Sequence, residues 1–226
     1  RDFCLSRGLG DVYKRQYGYR PGTRGVFDEI MWYQWFKLRP QDIEREDKEY
    51  QVPILLGCAI AIRRDFFYDI GQNDEGLIIW NGEQIELSLK VHLCGGDLVE
   101  VPCSRASHFF RGHKHHGLDG VDVAARNFKR IGEVWMDEFK EVMYRTDPKR
   151  FLSTDPGDLT KAKMVKEKLN CKPFRYFLEN IAPEMYYRYY YQADYPGFFA
   201  WGAIQSDAFP KKCIDHMNDY SKPVQL

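Results

Sequence analysis

Asp74-Glu75-Gly76-Leu77-Ile78-Ile79-Trp80-Asn81-Gly82-Glu83-Gln84-Ile85-Glu86-Leu87-Ser88-Leu89-Lys90-Val91-His92-Leu93 is the stretch from which the rest of the chain can be read. In its second half Ile85, Leu89 and Leu93 stand four residues apart, a spacing that stacks side chains on one face of a helix. The pattern predicts a helix over 83–93, stopped by Gly95 and Gly96. Upstream, Ile54-Leu55-Leu56-Gly57-Cys58-Ala59-Ile60-Ala61-Ile62 is an unbroken apolar run between Pro53 and Arg63-Arg64. Such a run predicts a strand buried on both faces, and a short helix over 65–70 follows it. Downstream, 98–101 reads as a short strand ended by Pro102. Strands alternating with helices indicate an α/β domain.

Further out, Phe128, Ile131, Trp135, Phe139 and Val142 recur every three or four residues, which predicts one helix over 123–144. Another helix is expected over 158–169 with Asp158 as its N-cap. On the N-terminal side, 17–28 reads as a Gly- and Arg-rich loop, and 39–50 as a charged surface excursion. Between them, Trp32, Tyr33, Trp35 and Phe36 suit a strand bordering a pocket. Residues 1–16 carry neither period and read as a non-native leader. The near-continuous tyrosines of 186–191, then Pro196-Gly197, mark a boundary. The expected order is leader 1–16, main domain 17–183, linker 184–198 and a final piece of short strands over 199–226.

Lys+Arg and Asp+Glu each number 33 in the 226 residues, so no net charge draws the chain to nucleic acid or an anionic membrane surface. Aromatics make up 15%, which suits sugar or peptide recognition, although a large aromatic core is the plainer reading. No run of about 20 apolar residues is present to span a bilayer. The six cysteines, Cys4, Cys58, Cys94, Cys103, Cys171 and Cys213, lack the close spacing of zinc or thioredoxin-type motifs.

Four stretches form a set: Asp74 to Ser88, then Cys94-Gly95-Gly96 with Val101-Pro102-Cys103-Ser104-Arg105-Ala106-Ser107-His108-Phe109-Phe110-Arg111. The others are Ala125-Arg126-Asn127 with Glu133-Val134-Trp135-Met136-Asp137-Glu138, and Leu169-Asn170-Cys171-Lys172-Pro173-Phe174. In order and spacing they resemble the polypeptide N-acetylgalactosaminyltransferases. The tail, Trp201-Gly202-Ala203-Ile204 and Cys213-Ile214-Asp215, is similar to the opening of the family's ricin-type β-trefoil lectin. The resemblance implies a fragment: the C-terminal portion of a GT-A catalytic domain, then the truncated start of the lectin. It implies UDP-GalNAc as donor, Mn2+ as cofactor, Ser or Thr hydroxyls of proteins as acceptors, and a carbohydrate partner for the lectin. It also implies a type II protein on the lumenal side of the Golgi membrane, anchored upstream of this chain. The fragment alone is expected to be inactive.

Carried to matching positions, the resemblance makes His108 a metal ligand, with its co-ligands in an upstream Asp-x-His. Taken alone, a histidine after a strand is more often structural. A divalent cation would offset charge on the departing diphosphate, and imidazole with carboxylates suits Mn2+. Arg111 would pair with phosphate oxygens through its planar fork. His113, His115 and His116 fall in a lid over the donor. Trp80 matches a gating tryptophan, and Gly57 and Gly82 sit where backbone approaches the donor. Glu83 matches an acid near the reacting sugar, although a carboxylate at a helix start is also favoured by the dipole alone. The family retains anomeric configuration, and Glu83 is assigned positioning and electrostatic stabilisation rather than nucleophilic attack. Cys94 and Cys171 match a family disulfide, while Cys103 and Cys213 are expected to be unpaired. The family pattern Trp-Gly-Gly-Glu-Asn is Trp80-Asn81-Gly82-Glu83-Gln84 here, and a Gly-Gly pair is Gly57-Cys58. An alternative reading is therefore an inactive relative that binds glycopeptide or carbohydrate.

Overall fold

The computed structural model describes residues 23–43, 48–57, 60–101, 104, 118–186 and 189, with backbone alone for 41, 43, 205–206 and 209–213. The chain divides into two units, Arg1–Ala193 and Asp194–Leu226. Helices and short antiparallel strands alternate in the first. In the second, β5 (Gln205–Ser206) pairs antiparallel with β6 (Phe209–Cys213), numbered after the four strands described next.

The first unit opens with a hairpin of β1 (Thr23–Phe27) and β2 (Tyr33–Lys37), running in register from Thr23↔Lys37 to Phe27↔Tyr33. The loop expected over 17–28 thus gives way to a strand at Thr23. Asp28 makes the turn: its Oδ1 accepts the N–H groups of Ile30 (3.1 Å) and Trp32 (2.8 Å). Gly25 is required in the strand, because a Cβ there would overlap the backbone carbonyl oxygen of Ile54 as well as the Tyr33 hydroxyl. The 39–50 segment is less of a surface excursion than its charge implied. Helix α1 (Pro40–Ile43) carries Asp42 inward to within 3.5 Å of the fully buried Arg24, which also meets Glu184 at 3.0 Å.

Among its described residues the apolar run over 54–62 forms no buried strand: of these only Ile54 bridges, to Gly25, and Leu56, Ile60 and Ile62 are 47%, 48% and 36% exposed. A strand inside a sheet needs backbone partners on both edges, and on the edge opposite Gly25 the Leu55 N–H goes to the Ser88 side chain instead (3.0 Å). The remaining strands are β3 (Tyr50–Gln51) and β4 (Val99–Glu100), an antiparallel pair.

Helix α2 (Arg64–Asp69) leads to α3 (Glu83–Leu93), in which every residue from Ile85 to Leu93 is buried. Ile85, Leu89 and Leu93 join the main core, while Leu87 and Val91 join a second cluster with Leu55 and Ile70. The polar positions between them find partial partners, while His92 Nδ1 has no hydrogen bond among the described residues. Lys90 meets Glu86 at 2.6 Å, Ser88 takes Leu55 N–H, and His92 Nε2 lies 3.0 Å from the Val52 carbonyl.

The single helix expected over 123–144 is two: α4 (Val123–Trp135) and α5 (Lys140–Thr146), joined by a 3-10 turn over Asp137–Phe139. Asp137 breaks the helix at φ +49, and its carboxylate accepts from Lys166 Nζ (2.6 Å) and Phe174 N–H (2.8 Å). The apolar period carries across the break because Phe139 and Val142 return to the same core as Phe128 and Ile131. Short α6 (Pro148–Leu152) follows, then α7 (Thr160–Lys168). The N-cap of α7 is Leu159, without a side-chain cap bond, so Asp158 does not cap the helix as expected; its Oδ1 instead accepts Thr160 N–H (2.9 Å) in an Asx turn just before it. Helix α8 (Phe174–Tyr176) continues into a π-helical turn, Phe177–Ile181. Met185 and Tyr189 are buried in the core, Tyr189 beside Phe27 and Phe174, and the first unit ends at Ala193. Among the described residues no helix is long and apolar enough to cross a membrane.

Candidate active site

The turn entering α3 is built from backbone that ordinary residues avoid. Ile79, Asn81 and Gly82 all have positive φ, at 56°, 81° and 103°. A β-branched residue there is strained, so the surroundings must hold it. One face of α4 does this. Asn127 uses its amide as a surrogate peptide: Oδ1 accepts Ile78 N–H (3.0 Å), and Nδ2 donates to the carbonyls of Ile78 (2.8 Å), Trp80 (3.3 Å) and Asn81 (2.8 Å). Arg126 donates to the Gly76 carbonyl at 2.6 Å. Arg130 forks onto Asp74 at 2.6 and 2.9 Å and reaches the carbonyls of Pro156 and Asp158. Burial pushes the Asp74 carboxyl up, but Arg130 and the Gly76 N–H outweigh it and hold it below the ordinary range. A Cβ on Gly76 would collide with the Arg130 guanidinium, so any side chain there would have to displace that group from its place on Asp74.

Gly57, Trp80, Gly82 and Glu83 are brought together around the first turn of α3. A Cβ on Gly82 would lie 2.9 Å from Ile131 Cδ1, so this glycine lets α3 approach α4 as well as making the turn. Trp80 is 47% exposed and Glu83 is half-buried at the first helical position. Gly57 is exposed, and a Cβ there would lie in ordinary contact with the Gln84 side chain (3.6 Å). Ser88 fixes that strip by accepting from Leu55 N–H and donating to the Gln84 carbonyl. Trp32 stands edge-on to Phe128, with ring centroids 5.5 Å apart, and Phe128 also borders Gly82. An aromatic edge from the hairpin therefore lies close to the same turn.

His108, Arg111, Cys58 and Cys103, with the lid histidines His113, His115 and His116, lie outside the described residues, as do the side chain of Cys213 and the leader 1–16. Among the described residues no three His, Cys, Asp or Glu side chains gather as a metal site. Cys94 and Cys171 are joined by a disulfide at the far end of α3. The residues the sequence reading passed over are the clamp itself. Arg126 and Asn127 stood in the quoted motif without a role, and Arg130 was unnoticed. The signal was there: polar side chains adjacent to the core positions Phe128 and Ile131 of one helix must be facing something polar.

No protein-family model matches the chain. It is 43% identical over 202 residues to N-acetylgalactosaminyltransferase 4 of Drosophila melanogaster, covering 88% of this chain and 31% of that protein. N-acetylgalactosaminyltransferase 6 of the same organism is 41% identical, covering 86% and 29%. Polypeptide N-acetylgalactosaminyltransferase 10 of Homo sapiens is 36% identical, covering 86% and 32%. The chain thus spans about a third of the length of the curated relatives it matches. A crystal structure of GalNAc-T7 with UDP, GalNAc and Mn2+ superposes with a TM-score of 0.67 at 35% identity, covering 74% of this chain and 32% of that one. The fold is accordingly the mixed α/β of part of a GT-A glycosyltransferase. Over the matched residues, the chain belongs to the polypeptide N-acetylgalactosaminyltransferase family.

Proposed function

We propose that the protein carrying this chain transfers N-acetylgalactosamine from UDP-GalNAc to Ser or Thr hydroxyls of proteins, with retention at the anomeric carbon. The observation that supports it is the Trp80–Glu83 turn, fixed at the start of α3 by Asn127 in a chain whose solved relative holds UDP and GalNAc. In this reading the bond from sugar to UDP breaks as the hydroxyl oxygen attacks, and the departing phosphate takes the hydroxyl proton. Glu83 orients the acceptor and stabilises developing positive charge on the sugar, while Trp80 covers the donor. Gly82 keeps the turn close to α4 so that both side chains stay in place.

A Mn2+ requirement belongs to the proposal, supported by the ion in the solved relative, with His108 as candidate ligand and Arg111 as candidate phosphate partner. When bound, the ion would stabilise charge on the diphosphate. The steps assigned above are those of Trp80, Gly82 and Glu83 alone. A Golgi lumenal location behind an upstream anchor is proposed with it. The Cys94–Cys171 disulfide supports an oxidising compartment. A lectin beginning near residue 199, with a carbohydrate partner, completes the proposal.

The test is transfer of N-acetylgalactosamine to a Ser/Thr peptide by the full-length protein with Mn2+ added or chelated. Metal-dependent transfer is expected, falling about a hundredfold in Glu83→Gln. A full-length protein that binds glycopeptide yet transfers no sugar would replace this reading with that of a binding protein.

A further inference from the structure

The turn that begins α3 carries a polar group the fold leaves without a partner. Asn81 is 4% exposed, and among the described residues its Nδ2 has no hydrogen-bond acceptor. The nearest amide cannot serve. Asn127 Oδ1 already accepts Ile78 N–H, and its Nδ2 is a donor that holds the Asn81 carbonyl at 2.8 Å. Native folds seldom bury a donor in this way, and each instance calls for a cause.

Backbone geometry does not supply the cause. Asn81 sits at φ +81, a conformation that glycine adopts freely and that asparagine tolerates better than other side-chain-bearing residues. Glycine would make the same turn with no donor to bury. Asparagine therefore keeps the turn and adds an N–H whose partner is not in the described residues. In the chain Asn81 follows exposed Trp80 and precedes Gly82 and half-buried Glu83, on a loop whose carbonyls at 78, 80 and 81 are pinned to one side chain. A donor both shielded from water and fixed in position is the arrangement that makes a strong, selective ligand contact.

We propose that Asn81 is a specificity-determining residue whose Nδ2–H donates to a neutral oxygen of the donor sugar, either the acetamido carbonyl or a ring hydroxyl. The inference rests on the function proposed above and names a contact within it. A neutral amide suits a neutral acceptor, and a site with a buried donor discriminates against ligands that leave it unpaired.

The experiment titrates UDP, UDP-galactose and UDP-GalNAc, with Mn2+ present, into full-length wild type, Asn81→Gly and Asn81→Asp, and records melting temperatures without ligand. Both variants should bind UDP-GalNAc about 5–10-fold more weakly relative to UDP, having lost one hydrogen bond. Asn81→Gly should melt higher than wild type, because it relieves both the turn and the unpaired donor, so misfolding does not mimic the effect. A loss confined to UDP-GalNAc identifies the acetamido carbonyl, and an equal loss for UDP-galactose identifies a hydroxyl. Unchanged affinity ratios in both variants would overturn the assignment and leave Asn81 a turn residue. Wild type that binds UDP but neither nucleotide sugar, or no nucleotide at all, would overturn the underlying function as well.

Discussion

The two ends of α3 are held by different chemistry. At the C-terminal end the tie is covalent: Cys94 is bonded to Cys171, and Lys172 N–H donates to the Leu93 carbonyl at 2.8 Å. Gly95, at φ +95, turns the chain away. At the N-terminal end nothing is covalent. Gly82 fits α3 against α4, and Arg126, Asn127 and Arg130 hold the incoming loop by directional hydrogen bonds. One bond suffices to close a long loop, whatever its neighbours do. An end that presents Trp80 and Glu83 has to fix orientation, and that takes several dipoles with defined angles. Loss at the first end should cost stability alone. Loss at the second should cost stability and ligand geometry together.

Arg130→Ala is expected to have the largest effect. It strands the buried Asp74 carboxylate and frees the carbonyls of Pro156 and Asp158. Removing one partner of a buried pair typically costs about 3–5 kcal/mol. Urea unfolding should show a loss of that order, and nucleotide-sugar affinity should fall as the Asp74–Gly82 loop loosens. A loss below about 1 kcal/mol would mean that the loop is held by something other than α4. The paired change Cys94→Ser with Cys171→Ser ranks next, at about 2–4 kcal/mol, mainly through the freedom regained by the unfolded chain. Its nucleotide affinity should match wild type. If the serine pair weakened binding as much as Arg130→Ala, the two ends would not be independent.

Acid separates the ends further. The Asp74 carboxyl is held below its ordinary value in the folded state, so the unfolded chain binds its proton first as pH falls. The contribution is therefore complete above the unfolded value of about 4 and is lost as pH drops through the depressed folded value. Stability measured from pH 6 downward (about two units above that reference) should decline over that interval in wild type. Asp74→Asn, which cannot titrate there, should decline less steeply. The disulfide end carries no titrating group in its tie, and the serine pair should keep the wild-type acid slope. Identical slopes in wild type and Asp74→Asn would remove Asp74 from the account.

How much of this was legible in the sequence follows the same division. The helix over 83–93 was plain because Ile85, Leu89 and Leu93 keep helical spacing. That spacing described only one face. The burial of Glu86, Ser88, Lys90 and His92 was not readable, because it depends on partners brought from residues 52, 55 and 72. The helix over 123–144 was overextended for a related reason. Apolar period survives a break when both pieces face one core, and nothing local marked Asp137 as the residue that would leave α geometry to serve Lys166 and Phe174. Trp80, Gly82 and Glu83 were found through resemblance. The clamp was missed because its meaning lies in a contact between residues about 50 apart.

The smallest expected effect tests where support for the N-terminal end stops. Ile54 and Ile60 belong to the same apolar run, yet the fold treats them oppositely. Ile54 is buried against the core and its N–H bonds to the Gly25 carbonyl at 3.1 Å, whereas Ile60 is 48% exposed. Between them Leu55 is stitched to Ser88, which ties the start of the run along α3. If that stitch is the last point of support, Ile54→Ala should destabilise the 226-residue chain by about 2–5 kcal/mol, the cost of emptying a packed site. Ile60→Ser should change it by no more than about 0.5 kcal/mol, as surface changes do. Denaturant midpoints of the two variants beside wild type decide the matter. A cost above about 1 kcal/mol for Ile60→Ser would mean that the run continues as the buried strand its composition predicts. The entry to α3 would then be buttressed by a longer element than Ile54 to Gly57. A near-zero cost confines that support to the Leu55–Ser88 stitch and the α4 clamp, the two contacts on which the geometry of Trp80, Asn81 and Glu83 depends.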